Sequence, residues 1–177
     1  MTAPKRERPT LAQLKTELKR ERHKLTYGAT LRSTIYSLVT VAAVAVLVAT
    51  LLLPVLQICG TSMSPALEDG QIVVSVKTGD LELGDIVAFY YNNKILVKRV
   101  IAGPGQWVDI DEDGNVYVDG QLLDEPYAVE KSLGSCNIEL PYQVADGRWF
   151  VMGDHRSVSV DSRDRAVGCV SEEQIVG

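Results

Sequence analysis

The pattern of apolar and polar residues divides the chain into three parts. Residues 35–58 form the longest apolar run, and no charged residue lies between Ser33 and Leu67. A helix over this run would be about 36 Å long, which is enough to cross a hydrocarbon core of about 30 Å. We therefore predict a transmembrane anchor over residues 35–58.

The charged segment before the anchor, residues 1–34, predicts a helical leader. Thr10 is a suitable helix cap, and four leucines follow it at helical spacing: Leu11, Leu14, Leu18 and Leu25. Such a helix could form a short coiled coil or lie on anionic lipid headgroups. A solvated helix with no special role is the simpler interpretation.

After the anchor, short β-branched and aromatic runs alternate with residues that favour turns. The runs are QIVVSVK, DIVAFYY, KILVKRVIA, WVDID, NVYVDG and RWFVMGD, and the breaks between them include TGD, NN, GPG and EDG. This alternation is typical of β-hairpins. Residues 59–177 therefore predict an all-β domain, so that the fold class is mainly β with a single N-terminal transmembrane helix.

Charge is distributed unevenly about the anchor and predicts its orientation. The net charge is −5, yet nine Lys and Arg against three Glu precede the anchor, which leaves nine basic and twenty acidic residues in the remainder. Basic residues beside a span stay in the cytoplasm, so we expect a cytoplasmic leader and an extracytoplasmic β domain on a single-pass protein of the cell membrane. A cleaved secretory signal fits poorly because its apolar core is shorter, at roughly 7 to 15 residues. The acidic domain also argues against nucleic acid as a partner.

Three cysteines leave the question of a disulfide open. Cys136 and Cys169 lie in the part predicted to be outside the cell, where oxidation is possible. Their spacing does not require that they pair, and Cys59 would remain unpaired.

A polar turn directly after the anchor contains three candidate nucleophiles. The stretch CGTSMSPALEDG places Thr61, Ser62 and Ser64 there, and a hydroxyl needs a neighbouring base before it attacks a carbonyl. His155 is the histidine on the same predicted side of the membrane as this turn.

Lys98 is the second candidate base, provided that burial keeps it neutral. It lies within ILVKRVIAG, where side chains of a strand alternate between two faces. If Arg99 faces solvent, Lys98 faces inward with Leu96 and Val100. The residues alone leave open His155, Lys98 and an ordinary edge-strand role for Lys98.

Four stretches, in family order, resemble the bacterial type I signal peptidases, also called leader peptidases. SMSPAL at 62–67 is similar to the nucleophile box S-M-x-P-T-L, and GDIVAF at 84–89 matches the strand G-D-I-V-x-F. KRVIAGPGQ at 98–106 is similar to K-R-V-I-G-x-P-G-D, and GDHRSVSVDSR at 153–163 is similar to G-D-N-R-x-x-S-x-D-S-R. Ala66 and His155 depart from the family pattern, as does the displaced glycine of IAGPGQ.

The resemblance implies a membrane-anchored serine endopeptidase that removes signal peptides from exported preproteins. Ser62 would be the nucleophile and Lys98 the general base, forming a Ser-Lys dyad. Ser159 would orient Lys98, and Asp161 with Arg163 would support the last box. No cofactor or metal is implied, and the lipid bilayer and the export machinery are candidate partners.

The resemblance also implies an oxyanion site and a small pocket. The family uses the backbone N–H of the nucleophile and, in some members, a hydroxyl two residues earlier, where this chain has Gly60. The second donor is therefore open between a backbone group of the Gly60 region and Thr61. Substrates would carry small residues at the −1 and −3 positions, and five apolar residues are candidates for the pocket: Leu56, Ile58, Met63, Leu96 and Val97.

Three other interpretations compete with a Ser-Lys signal peptidase. A Ser-His site at His155 would be similar to the endoplasmic-reticulum type of the enzyme, but there the histidine takes the place of Lys98. A Ser-Lys autoprotease such as the SOS-response repressors would need a DNA-binding head in place of the anchor. An anchored β module without catalysis would explain the topology and leave Ser62 and Lys98 unused.

Overall fold

A computed structural model describes residues 10–76 and 81–177 of the chain. The chain divides into two units, Met1–Thr50 and Leu51–Gly177. In the part of the chain that the structure describes, the first unit is helical and the regular elements of the second are almost all strands, which confirms the predicted fold class. The first nine residues of the predicted leader and the predicted turn TGD at 78–80 lie outside the described residues.

A single long helix, α1 (Leu11–Leu52), covers residues 11–50 of the first unit and ends just beyond it. Thr10 caps it as predicted: the Thr10 N–H donates to Gln13 Oε1 at 2.9 Å, and the Gln13 N–H donates to Thr10 Oγ1 at 3.4 Å. This reciprocal capping satisfies donors that the first helical turn leaves free. The helix is long and apolar enough over Leu11–Ala49 to cross a membrane.

The helix ends before the predicted boundary of the anchor. We expected helix through residue 58, but α1 stops at Leu52 and residues Val55–Gln57 form the strand β1. Pro54 explains the difference, because a proline has no N–H to donate and disfavours the helical conformation of the residue before it. The last part of the apolar run therefore belongs to the β unit.

Ten short strands form three antiparallel sheets in the described part of the second unit. β1 pairs with β2 (Ile72–Val74) in a two-stranded sheet. The second sheet has the order β10-β9-β4-β3, and the third has the order β7-β6-β5-β8. The bounds of the remaining strands are β3 (Ile86–Tyr91), β4 (Lys94–Ala102), β5 (Trp107–Ile110), β6 (Val116–Val118), β7 (Gln121–Leu122), β8 (Tyr142–Gln143), β9 (Arg148–Met152) and β10 (Val170–Ser171).

The sheet that carries β4 holds the site in place. β3 and β4 form a hairpin whose turn residues, Asn92 and Asn93, both have positive φ, at 43° and 66°. Asparagine tolerates this conformation, which suits a two-residue hairpin turn. Buried apolar side chains cover one face of this sheet, among them Val87, Phe89, Val100, Val151 and Val170.

The register between β4 and β9 brings two distant parts of the chain together. Arg99 pairs with Met152, and Val100 pairs with Val151. The chain that leaves β9 at Gly153 therefore begins beside Lys98, and the loop 153–165 follows there. A second core of buried residues, including Ile101, Val108, Val116, Phe150 and Met152, fills the space beside the third sheet.

Candidate active site

The turn that carries Ser62 is fixed by buried neighbours. Ile58 and Met63 are 5% and 2% exposed, and the Ile58 N–H donates to the Gln71 carbonyl at 2.8 Å. Within the turn, the Leu67 N–H donates to the Met63 carbonyl at 2.9 Å. Because Met63 is buried, the adjacent Ser62 is held at a defined position while its side chain stays half-buried.

Lys98 lies directly against the candidate nucleophile. It is 3% exposed on β4, and its Nζ is 2.6 Å from Ser62 Oγ. This is hydrogen-bond distance, so a proton can pass from the hydroxyl to a neutral amine. Lys98 therefore faces inward.

The surroundings of Lys98 favour its neutral form. Burial is the largest influence and lowers the pKa of Lys98 below its ordinary value. Asp161 and Asp154 act in the opposite direction, and Arg163 lowers the pKa further. The net effect is a lowered pKa, because loss of hydration penalises the charged ammonium. A lysine in this state can act as a general base.

Asp161 and Arg163 form a buried ion pair in the loop that follows β9. Arg163 Nε donates to Asp161 Oδ1 at 2.8 Å, and Nη2 donates to Oδ2 at 2.9 Å. Asp161 also accepts a hydrogen bond from the Gly153 N–H at 3.0 Å. The pair thus joins the two ends of the loop, and its role in supporting the dyad stays a prediction.

Ser159 lies beside the dyad without a hydrogen bond of its own among the described residues. It is 3% exposed, and its Oγ is buried without a partner. A Cβ placed on Gly153 would lie 2.3 Å from this Oγ and 2.5 Å from the Ser62 carbonyl oxygen. Gly153 therefore lets both groups approach the same point. Orientation of Lys98 by Ser159 stays a prediction, because no hydrogen bond joins them in this structure.

Replacement of Gly153 by alanine should disturb this contact. We expect a loss of about 1–3 kcal/mol in the free energy of unfolding, since overpacking a closed site forces its neighbours apart. Activity should fall as well, because the displaced Ser62 carbonyl carries the nucleophile with it. Thermal unfolding and peptide cleavage rates measure the two effects. Gly28→Ala is the control, because its Cβ would meet nothing within 4 Å and its φ is not positive. Equal losses from both substitutions would contradict the contact.

The backbone amide of Ser62 is available for an oxyanion. The Ser62 N–H makes no hydrogen bond within the described residues. The Gly60 N–H, in contrast, donates to Asp69 Oδ1 at 2.7 Å and is already occupied. Of the donors considered from the sequence, the Ser62 amide is thus free and the Gly60 amide is not.

His155 contacts Ser62, the candidate nucleophile, through its backbone. Its N–H donates to the Ser62 carbonyl at 3.1 Å, whereas the hydrogen bond at Ser62 Oγ comes from Lys98. The structure therefore favours Lys98 over His155 as the base and gives the main chain of His155 a place in holding the turn.

An open groove runs beside the dyad and contains all five predicted pocket residues. Its volume is about 600 Å³, and it is lined by Leu56, Ile58, Met63, Leu96 and Val97 together with Ser62 and Lys98. Cys59, which is exposed, and Lys94 also line it. β1 pairs with β2 alone, and Lys94–Lys98 of β4 pairs with β3 alone, so each strand keeps one free edge within the described residues.

Arg99 does not face solvent, contrary to the condition from which Lys98 was placed inward. Its side chain is 12% exposed and binds Asp154 through two hydrogen bonds, Nε to Oδ1 at 2.8 Å and Nη2 to Oδ2 at 2.6 Å. Its third donor, Nη1, reaches the Gly84 carbonyl at 2.7 Å. Both faces of β4 are therefore covered here, and an ion pair makes the burial of Arg99 tolerable.

The sequence analysis missed further charged and aromatic groups, which pack against Arg99 and against the loop after β9. Glu125 and Arg156 form a fully buried ion pair, and the ring of Tyr127 lies 4.1 Å below the Arg99 guanidinium carbon. Asp154 and Arg156 stand in the recognised stretch GDHRS, which was a usable signal. Glu125 and Tyr127 belong to a segment without regular pattern and had none.

All three cysteines are free thiols in the structure. Cys59 is exposed, Cys136 is half-buried and Cys169 is buried. Burial raises the pKa of the Cys169 thiol, which keeps it protonated. The pairing left open from the sequence is not formed.

Comparison with known proteins gives the family. A family model described as signal peptidase, peptidase S26, matches residues 31–177. Signal peptidase IB of Staphylococcus aureus (strain COL) is 41% identical over 139 residues, which cover 67% of this chain and 71% of the relative. Signal peptidase I of Bacillus licheniformis is 36% identical over 131 residues, covering 67% and 69%. A crystal structure of a signal peptidase I from Enterococcus faecalis V583 is 27% identical, with a TM-score of 0.48, and covers 57% of this chain and 97% of that one.

The family match extends over the helix end, the turn that carries Ser62, β4 and the loop after β9. It therefore includes Ser62, Lys98 and the buried pair of Asp161 with Arg163. Members of this family are serine peptidases that remove signal peptides. The chain is a peptidase and belongs to the S26 family of signal peptidases.

Proposed function

We propose that this chain removes signal peptides with a Ser62–Lys98 dyad and cuts after small residues at the −1 and −3 positions. The observation that supports the dyad is the 2.6 Å separation between Ser62 Oγ and the buried Lys98 Nζ. The serine peptidase activity follows from membership of the family. The dyad and the cleavage positions are what we propose here.

The reaction is acyl transfer in two steps. Neutral Lys98 takes the proton of Ser62 Oγ as the oxygen attacks the scissile carbonyl, and the resulting ammonium then protonates the leaving amine. This breaks the peptide bond and leaves an ester on Ser62. Lys98, neutral again, activates a water that attacks the ester, and the proton it takes returns to Ser62 Oγ.

The free Ser62 N–H stabilises the oxyanion that forms at the carbonyl. It points from the same residue as the nucleophile, and its lack of an internal partner leaves it free to donate. The second donor is supplied by the hydroxyl of the exposed Thr61 or by a backbone group other than the Gly60 N–H, which Asp69 occupies.

The groove receives the substrate as an extended strand. Free edges of β1 and of Lys94–Lys98 can both bond a peptide backbone, which is a common way to bind an extended chain. The apolar residues around Ser62, including Ile58 and Met63, close the space beside the dyad. The resemblance to signal peptidases is the ground for small side chains at −1 and −3, and a bulky side chain beside Ser62 would meet Ile58 and Met63.

The orientation of the protein in the membrane follows from the position of the anchor and from the distribution of charge about it. The apolar part of α1 spans the bilayer, the basic leader remains in the cytoplasm, and the acidic β unit acts outside. A signal peptide keeps its apolar core in the same bilayer, so its cleavage bond emerges at the membrane surface. The enzyme meets its substrates there, beside the export machinery that delivers them.

A substrate substitution tests the proposed cleavage positions. Changing the −1 residue of a cleaved preprotein from alanine to phenylalanine should lower kcat/KM roughly 100-fold or more, because the ring would meet the buried side chains of Ile58 and Met63 beside Ser62. The assay uses the purified full chain in detergent and maps the cut by mass spectrometry. The same change at −2 serves as the control. Equal cleavage of the −1 phenylalanine substrate at the original bond would refute the small pocket and leave the dyad intact.

A further inference from the structure

A long segment without regular structure crosses the loop that supports the dyad. We call residues 123–141, between β7 and β8, the strap. Its side chains and carbonyls bind the loop 153–165 at successive points. The bonds are Glu125 to Arg156, Glu130 to Ser157, the Ser132 and Leu133 carbonyls to Arg163, Asn137 to Asp164 and Glu139 to Arg165.

One strap residue, Tyr127, contacts the strand that carries the general base. The Arg99 guanidinium carbon lies 4.1 Å from the centre of the Tyr127 ring. A cation in this position is attracted by the negative face of the ring, more strongly when both groups are shielded from water. Arg99 is 12% exposed and Tyr127 is half-buried, so the contact is largely shielded.

The same guanidinium holds Asp154 in a fixed position. Two parallel hydrogen bonds, at 2.8 and 2.6 Å, join Arg99 to the Asp154 carboxylate, which is fully buried. Such a planar fork fixes direction as well as distance. Asp154 stands between Gly153, where a Cβ would clash with the Ser62 carbonyl, and His155, whose N–H donates to that carbonyl.

A second strap contact fixes the other side of this turn. Glu125 pairs with Arg156, and both side chains are fully buried. Arg156 Nε also donates to the Gly153 carbonyl at 3.0 Å. The Tyr127 hydroxyl reaches Glu125 Oε1 at 3.4 Å, so the two strap contacts adjoin. The turn from Gly153 to Arg156 is thus held by the strap at both ends.

We propose that Tyr127 is a positioning residue of the dyad, which holds Arg99 so that Asp154 stays neutralised and fixed beside Lys98. This inference rests on the proposed Ser62–Lys98 chemistry. Tyr127 touches neither Lys98 nor Ser62 in the described contacts and acts through the Arg99–Asp154 pair.

The expected effect concerns the charge around Lys98. Asp154 and Asp161 raise the pKa of Lys98, and Arg163 lowers it, whereas Arg99 neutralises Asp154 from the opposite face of β4. If Arg99 loosens, Asp154 acts on Lys98 with less compensation, and the pKa of Lys98 rises. The base must be neutral to work, so the acidic limb of the rate profile moves to higher pH.

The test compares two substitutions of Tyr127 in the full chain. Tyr127→Leu removes the ring, and we expect kcat/KM at pH 7 to fall roughly tenfold, mainly through kcat, with the acidic limb displaced to higher pH. Tyr127→Phe keeps the ring face and should restore both the rate and the position of the limb. Tyr90→Leu, at a tyrosine of β3 that is 57% exposed, is the matched control and should leave the profile in place.

Several outcomes would overturn the role of Tyr127. One is that the acidic limb of the pH–rate profile stays at the same pH in Tyr127→Leu, whether or not the rate falls. Another is that Tyr127→Phe is as impaired as Tyr127→Leu. If Tyr127→Leu does not fold, Tyr127→Met replaces it, and failure of both to fold would assign Tyr127 to stability alone. Full activity of Ser62→Ala or Lys98→Met would instead refute the proposed function, which separates the two failures.

Discussion

Ser62→Ala is expected to abolish cleavage of a signal-bearing preprotein. Removing the oxygen removes the acyl-enzyme step, and loss of a serine nucleophile typically costs roughly 10⁴-fold or more in kcat. The fold should survive, because Met63 and Ile58 hold the turn and the Ser62 backbone keeps its bond from His155. Preprotein cleavage by the purified full chain, followed by gel or mass spectrometry, measures the effect.

Ser64→Ala is the matched control for this substitution. Ser64 lies in the same turn, and its hydroxyl has no hydrogen bond within the described residues, so we expect activity within about threefold of the wild type. Cleavage by Ser62→Ala at the wild-type rate would refute the mechanism in which Ser62 is the nucleophile. Equal loss in both variants would point to damage of the turn and not to loss of a nucleophile.

Lys98→Met should reduce kcat by roughly 10³-fold, within the range that a general base contributes. Methionine is apolar and of similar length, so it fills the buried site without an amine. Stability should not fall, because the substitution removes a polar group from an environment that disfavours its charge. The measurement pairs cleavage rates with thermal unfolding, and Lys131→Met, at an exposed lysine bonded to Asn115, is the control.

The pH dependence of the wild type gives an independent check on Lys98. Its lowered pKa means that the neutral amine is populated at lower pH than for an ordinary lysine. Activity should rise with pH through the pKa of Lys98 and be lost below it. Lys98→Arg, which stays charged, should be inactive at every pH tested. If His155→Ala abolishes cleavage while Lys98→Met does not, the base is His155 and the assignment is wrong.

The pattern of apolar and polar residues predicted the helix and the strands in which that pattern is regular. The helix over the leader and the anchor and the six strand segments have periodicities set by burial on one or both faces. The end of the helix was misplaced because apolarity alone does not distinguish a membrane helix from an exposed strand, and the effect of Pro54 was not weighed. Although the run that contains β2 was predicted, nothing in the sequence showed that residues 55–57 pair with it, so β1 was not recognised.

Some residues of the candidate site could be predicted from the sequence and others could not, for a physical reason. Ser62, Lys98, Asp161 and Arg163 lie in stretches with recognisable patterns, and the structure brings each pair together. Tyr127 and Glu125 lie in the strap, whose course is set by side-chain bonds to a distant loop and not by local periodicity. Nothing in neighbouring residues specifies such contacts.

The thiol of Cys59 is a site in the groove where a spectroscopic probe can be attached. Cys59 is exposed and lines the groove three residues before the nucleophile, whereas Cys169 is buried and Cys136 half-buried. A fluorophore or nitroxide attached there would sense the arrival of a peptide in the groove, and substitution of Cys136 by serine would make the labelling selective. In the Ser62→Ala protein, such a probe would report occupancy without turnover.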